Sequence, residues 1–143
     1  MDKSKTDISV PVPRMEGLAK QFYDWCGKGE LRFQRCSDCG SLRYVPRDLC
    51  ASCGSFESEW ERSTGRGAVF TYTIAVRAMH PAFAGEVPYA VVIVELDEGV
   101  RMLSRVVDCP PEELRIGMQV DVDFESVSET VTLPVFRRSR AER

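Results

Sequence analysis

Four of the six cysteines stand in two Cys-x-x-Cys pairs, Cys36 with Cys39 and Cys50 with Cys53, separated by residues 40–49. Two intervening residues bring both sulfurs of a pair to one point, and two such pairs complete a tetrahedral shell of soft, deprotonated donors. That is the ligand set of a structural zinc, and a shell filled by four thiolates leaves no position for water or substrate. Gly40 and Gly54 follow the second cysteine of each pair, where a permissive residue lets backbone amides turn toward the thiolates. Two other chemistries use the same residues. Redox dithiols normally open a helix after a strand, and neither pair has that setting. A rubredoxin-type iron would take the same four sulfurs, and the sequence leaves iron open beside zinc. Cys26 and Cys109 stand outside the set and read as ordinary thiols.

Little else could do covalent chemistry. A nucleophilic cysteine needs a base within reach, and the chain has one histidine, His80. It lies in a segment, residues 78–87, that reads as a loop carrying Phe83, with Tyr89 just beyond. His80 is expected there as a surface or contact residue, and the chain as non-catalytic.

Composition narrows the partners. With 19 basic and 22 acidic residues the formal charge is −3, against the basic balance of proteins that live on phosphate backbones. Arg32, Phe33, Arg35, Arg43, Tyr44 and Arg47 still make one basic, aromatic stripe, so a single-stranded nucleic-acid binder is the alternative function. The 15 arginines outnumber the 4 lysines, which suits planar recognition of phosphates and carboxylates. No apolar run approaches the roughly 20 residues that span a bilayer. The polar start, MDKSKTDISV, lacks a secretory signal, and paired cysteines of this kind fit a reducing cytoplasm.

The elements that must position these residues are mainly β. Residues 1–13 read as a flexible lead. Met15, Leu18, Ala19, Phe22 and Trp25-Cys26 recur at helical spacing, giving a helix over 14–29 that Gly27 and Gly29 end. Its aromatics need cover, either from its own domain or from a partner, and Phe22, Tyr23 and Trp25 are the docking candidates. Residues 30–63 form the ribbon: a strand through LRFQRC, a return strand through SLRYVPRDLC, and apolar cover from Phe56 and Trp60. Residues 63–67 are a turn-rich joint. Five strands follow over 64–137, with a short helical turn at 110–114 between the third and fourth, the order of an OB barrel. The first, 68–77, is expected to put Phe70, Tyr72, Ile74 and Val76 on one face. The second, 90–96, is apolar throughout and expected to be covered on both faces. In the fourth, Asp121, Asp123 and Glu125 should face solvent, and 138–143 should be a solvated tail.

The order of these motifs resembles the DUF35 family: an aromatic helix leading to GEL, then CSDCG, PRDLCASCGS, GRGAVFTYT, VPYAVVIVELDEG, IGMQV and LPVFR. The resemblance runs from about Phe22 to Arg137. It implies an N-terminal helix, a rubredoxin-like zinc ribbon and a C-terminal OB-fold. It also implies a small accessory subunit of thiolase-superfamily enzymes acting on acyl-CoA, with the catalytic residues on the partner and acyl-CoA at the shared interface. On that reading the helix docks, the 78–87 loop with His80, Phe83 and Tyr89 faces the active-site mouth, and Arg77, Arg101 and Arg105 face the CoA phosphates.

Overall fold

The computed structural model describes residues 10–143, so most of the expected lead lies outside the described residues. Helix α1 spans Gly17–Gly27, shorter at both ends than the expected 14–29. It ends where Gly29 takes φ +77, and the N–H groups of Lys28, Gly29 and Glu30 return to the carbonyls of Trp25 and Cys26. Phe22 and Cys26, one turn apart, point inward. Phe22 is 2% exposed, which corrects the docking expectation for that residue: its ring is core and offers a partner no surface.

The ribbon is a three-stranded antiparallel sheet. Its strands are β1 (Arg32–Cys36), β2 (Leu42–Arg43) and β3 (Ser58–Arg62), in the order β2-β1-β3. The expected long return strand shrinks to two residues. The main partner of β1 is instead β3, in register from Arg32↔Arg62 to Cys36↔Ser58. Its sequence, SEWER, hides a strand behind charges, because only Trp60 needs cover. Phe56 provides none, being 72% exposed. Trp60 does: its indole N–H donates to Gln21 of α1 at 2.9 Å and ties ribbon to helix. Gln34, buried in β1, accepts from the Arg47 amide at 2.8 Å and from Arg43 Nε at 3.3 Å, and donates to Ser58 Oγ at 3.3 Å. Its polar atoms are thus partnered, as burial requires.

The second sheet has strands β4 (Arg66–Ala75), β5 (Tyr89–Leu96), β6 (Arg101–Ser104), β7 (Gln119–Ser126) and β8 (Thr132–Arg138). Their order is β6-β5-β4-β7-β8, and a parallel bridge, Val106↔Phe136, draws the two edges together. The sheet is therefore curled toward closure in the OB manner, with a 3-10 turn at Pro111–Glu113 where the helical turn was expected. A bulge between Val69 and Thr71 resets the alternation of β4. Phe70 is turned outward as a result, under the Arg101 guanidinium, 3.8 Å from its ring centre. Val76 lies beyond the strand end and is largely exposed, so the expected common face of Phe70, Tyr72, Ile74 and Val76 does not form. In β5 only Val92, Val94 and Leu96 are buried. Val91 and Ile93 stay half-buried, so the run is not covered on both faces.

Asp123 and Glu125 do not simply face water. They pair with Arg137 and Arg105 and are half-buried beneath them. The end of the chain is also anchored: Arg138 reaches Asp108 and Glu113, and Glu142, in the 3-10 turn Arg140–Glu142, pairs with Arg115.

The apolar interior is continuous across the joint. Phe22, Cys26, Leu31 and Phe33 belong to one cluster with Val69, Val92, Val94, Met102, Val120 and Phe136, and α1 lies against both β1 and β8. At the joint, Gly65 has φ +75, and a Cβ there would stand 2.3 Å from Val122 Cγ1. A glycine is required on both counts. Glu98, at the β5–β6 turn, accepts from Ser63 Oγ at 2.6 Å and from the Thr64 amide at 3.0 Å, and so clamps the joint to the barrel.

Candidate metal centre

The ribbon's two Cys-x-x-Cys turns repeat one hydrogen-bond pattern. The Gly40 amide donates to the Cys36 carbonyl and the Gly54 amide to the Cys50 carbonyl, both at 2.9 Å. The Cys36 and Cys50 amides reach the Ser41 and Ser55 carbonyls, again at 2.9 Å. Gly40 and Gly54 share φ +77, which a side chain would strain. Two knuckles of one shape face each other, and Ser55 Oγ donates to the Asp38 carboxylate between them.

All four sulfurs lie within 4.8 Å of one another. The closest approaches cross between knuckles: Cys36 to Cys53 at 3.5 Å and Cys39 to Cys50 at 3.6 Å. Four thiolates about 2.3 Å from one tetrahedral ion would be roughly 3.8 Å apart, so this set fits such an ion closely. The backbone favours thiolates. Amides of Cys39 and Asp38 directed at Cys36 hold its thiol down at about 6, and amides of Cys53 and Ser52 lower Cys50 likewise. Cys53 goes the other way, up to about 12: the Ser55 amide lowers it, but hydrogen bonds with the other three sulfurs and burial outweigh that amide, so the first protons leave Cys36 and Cys50. Cys36 and Cys50 are buried while Cys39 and Cys53 are exposed, so the centre is fixed from below by β1 and open to view from above. Four soft donors, amide support and a filled shell make this a structural metal site.

The remaining thiols differ. Burial pushes Cys26 up to about 12, and burial also raises Cys109. Neither is an activated nucleophile. His80 caps the 3-10 turn Pro81–Phe83, its Nδ1 accepting from the Ala82 amide at 3.1 Å, which occupies that nitrogen structurally.

The other candidate residues sort by neighbourhood. His80, Phe83 and Tyr89 are brought together, ring centres 6.1 and 5.9 Å apart in succession, at the β4–β5 end of the barrel. Tyr23 packs edge-on against Phe22 and is half-buried. Trp25 is half-buried on the outer side of α1, with Lys28 and Arg32 over its ring at 4.9 and 4.1 Å. Arg101 is engaged by Glu95 at 2.8 Å and Arg105 by Glu125, whereas Arg77 is exposed at the loop entry with no carboxylate partner among the described residues. In the basic stripe, Arg32 and Arg35 pair with Glu30 and Glu61, and Phe33 is core. Arg43 and Arg47 are left without carboxylates among the described residues. Sequence reasoning placed both in a nucleic-acid patch, and nothing in it marked them as distinct from Arg32 and Arg35. No helix in the described residues is long and apolar enough to cross a membrane.

Comparison with known proteins agrees with this geometry. Residues 26–59 match the family model of the ChsH2 rubredoxin-like zinc ribbon domain, and residues 60–125 that of the ChsH2 C-terminal OB-fold domain. A "DUF35 domain-containing scaffold protein" of Methanocaldococcus jannaschii is 38% identical over 96 residues, 66% of this chain and 67% of that protein. A "probable enoyl-CoA hydratase alpha subunit" of Thermomonospora curvata is 42% identical over 127 residues, 89% of this chain but 39% of that protein. This chain thus spans about two fifths of that relative's length. Among solved structures, a chain of an "Ltp2-ChsH2(DUF35) aldolase" superposes with a TM-score of 0.80 at 36% identity, covering 89% of this chain and 98% of that one. With its helix, its four-cysteine ribbon and its curled five-stranded sheet, the chain belongs to the DUF35 family.

Proposed function

We propose that this chain is a non-catalytic, zinc-binding accessory subunit of a thiolase-superfamily enzyme acting on acyl-CoA substrates. It orders that partner and helps cover the CoA-linked substrate. The observation that carries the proposal is the match along nearly the whole of one chain of an "Ltp2-ChsH2(DUF35) aldolase". The acyl-CoA subunit names among its relatives support the substrate class.

The geometry supports particular roles. Tyr23 and Trp25 are the docking residues, since Phe22 is spent on the core. The aromatic row of His80, Phe83 and Tyr89 is the barrel's contribution to the substrate side. Arg77 is the arginine free for a CoA phosphate, with Arg101 and Arg105 already committed to carboxylates. The working parts are residues 14–29 for docking, 30–63 for the metal and 64–137 for the barrel, and the compartment is the cytoplasm, whose reducing conditions keep the four cysteines out of disulfides and available to the metal. The metal is zinc, expected at one equivalent per chain by elemental analysis, in preference to iron.

The deciding experiment is co-expression with a thiolase-like protein from the same genome, read by light scattering on a sizing column and by turnover. Co-elution, with turnover lost when this chain is omitted, is the expected result. Separate elution with unchanged turnover overturns the proposal. The nucleic-acid alternative fares worse, because Arg32, Arg35 and Phe33 of its stripe are engaged elsewhere.

A further inference from the structure

Arg43 is the least satisfied charge in the described molecule. Its Nε donates to Gln34 Oε1 at 3.3 Å and to the Arg47 carbonyl at 3.1 Å, which pins the side chain beneath the ribbon. Its two terminal nitrogens are closed off from water and meet no acceptor. Arg32 and Arg138 also have one unpartnered buried nitrogen each, but both reach carboxylates through other nitrogens. Arg43 reaches none. Arg43 is half-buried as a residue, but guanidinium nitrogens that meet neither water nor an acceptor are costly to keep, so their retention points to an anion.

Space for one lies alongside. A cleft of about 330 Å³ opens between the ribbon and the β5–β6 turn, bordered by Leu42, Arg43, Tyr44, Arg47, Val100 and Arg101. Among the described residues, no carboxylate lines it. Of its three guanidinium groups, one, Arg101, is shared with Glu95, which leaves a surplus of two positive charges, three less one. The chain as a whole is acidic, so this surplus is local. A single carboxylate would balance half of it. A phosphate monoester or pyrophosphate carries about −1.5 to −2 or more at neutral pH and offers several oxygens to guanidinium forks. The cleft is larger than one phosphoryl group, and Tyr44, Leu42 and Val100 give an apolar wall for whatever carries it.

We infer that this cleft binds the phosphoryl group of a small phosphorylated ligand, held by Arg47 and by Arg43, whose terminal nitrogens turn from their closed position into the cleft on binding, with Arg101 at the rim. The site joins the ribbon to the barrel hairpin, so an occupied cleft also braces the two regions against each other. The inference stands on these residues alone and does not require the accessory role.

The test uses the full, metal-loaded chain at low ionic strength, titrated calorimetrically with pyrophosphate, inorganic phosphate and acetate. Saturable one-to-one binding of pyrophosphate in the millimolar range or tighter, and preferred over acetate, is expected. Arg47→Gln, at an exposed side chain, should weaken it about tenfold (1.4 kcal/mol) and Arg43→Met should abolish it. Arg115→Gln, at an exposed arginine paired with Glu142 and absent from the cleft lining, should leave it unchanged. If Arg43→Met fails to fold, as metal content and circular dichroism will show, Arg47→Gln still decides the matter. Binding that is absent, that favours acetate, or that survives Arg47→Gln intact overturns the site. So does an oligonucleotide that competes as well, phosphate for phosphate, since that reports backbone tracking. Coenzyme A binding more tightly than pyrophosphate identifies a nucleotide as carrier, and equal affinity identifies free phosphate; both outcomes support the cleft.

Discussion

The ribbon and the barrel reach order by different means. The barrel surrounds Val69, Val92, Val94, Met102, Val120 and Phe136 with a curled sheet, and its stability is apolar area removed from water. The ribbon has few buried apolar residues, chiefly Leu31 and Phe33, both on the side facing α1 and the barrel. Its far end is the two knuckles, built of cysteine, serine and glycine with Asp38 and Ala51, and its only buried side chains are Cys36 and Cys50. A segment this small cannot hold itself by burial, and the four thiolates replace the missing core with metal–ligand bonds. The metal is there to do folding, which is why its shell has no vacancy for chemistry. On the proposed function, the interaction surfaces then fall on either side of it.

Removing the metal should break this contrast most visibly. Chelation, or Cys36→Ser, should cost the ribbon its order outright, on the order of the 10 kcal/mol that structural zinc supplies to small domains. Hydrogen exchange should show protection lost over residues 32–62 and kept at Val92, Val94 and Phe136. Equal loss in both regions would mean that the ribbon and barrel form one cooperative unit. If the accessory role is right, the same treatment should also release the partner enzyme.

Core truncation should have the converse signature. Phe136→Ala, in a fully buried position, should lower global stability by about 3–5 kcal/mol in urea titration. One metal equivalent should still be bound. Phe22→Ala should cost a similar amount and, unlike Trp25→Ala, should show up in the stability of the isolated chain. A Phe22 variant of normal stability with lost partner binding would restore its docking role.

A smaller effect is expected at the joint. Gly65→Ala forces a Cβ into Val122 at a positive φ and should cost about 1–3 kcal/mol. Glu98 gives the same joint a pH dependence. Burial raises its pKa, but the hydrogen bonds from Ser63 and Thr64 outweigh that and leave it below the ordinary value. The folded state thus favours the carboxylate. Its stabilising contribution is whole above the ordinary glutamate pKa of about 4.3 and is lost as pH falls through the lower folded value. Comparing acid unfolding of the parent with Glu98→Gln separates this from thiol protonation, and coincident curves would refute it. Smallest of all, Arg35→Ala removes an exposed pair with Glu61 and should change stability by less than about 1 kcal/mol.

What could be read along the chain was whatever depends on near neighbours. The metal centre is two five-residue turns, each complete within itself down to its glycine, so spacing alone specified it. The existence of β7, the turn at Asp97-Glu98-Gly99 and the 3-10 turn at Pro111–Glu113 are local in the same sense, although β7 does not keep the expected alternation of exposure. Strand β3 escaped notice because its partner strand lies more than twenty residues away and its own residues are mostly charged. Phe70 was assigned to the wrong face because one bulge reverses everything on its N-terminal side, and a bulge has no composition of its own.

Charge was the least legible property. Fifteen arginines look alike in a sequence, and which of them are free depends on carboxylates brought across the sheet: Glu125 to Arg105, Asp123 to Arg137, Glu95 to Arg101. By itself the sequence determined that four sulfurs meet and that five strands follow the joint at residues 63–67, because those facts rest on local spacing and period. Only the tertiary structure decided that Phe22 is core, that Arg101 and Arg105 are neutralised, and that Arg43 is not. Burial and pairing are settled by contacts between distant parts of the chain, and those contacts exist only once helix, ribbon and barrel share an interior.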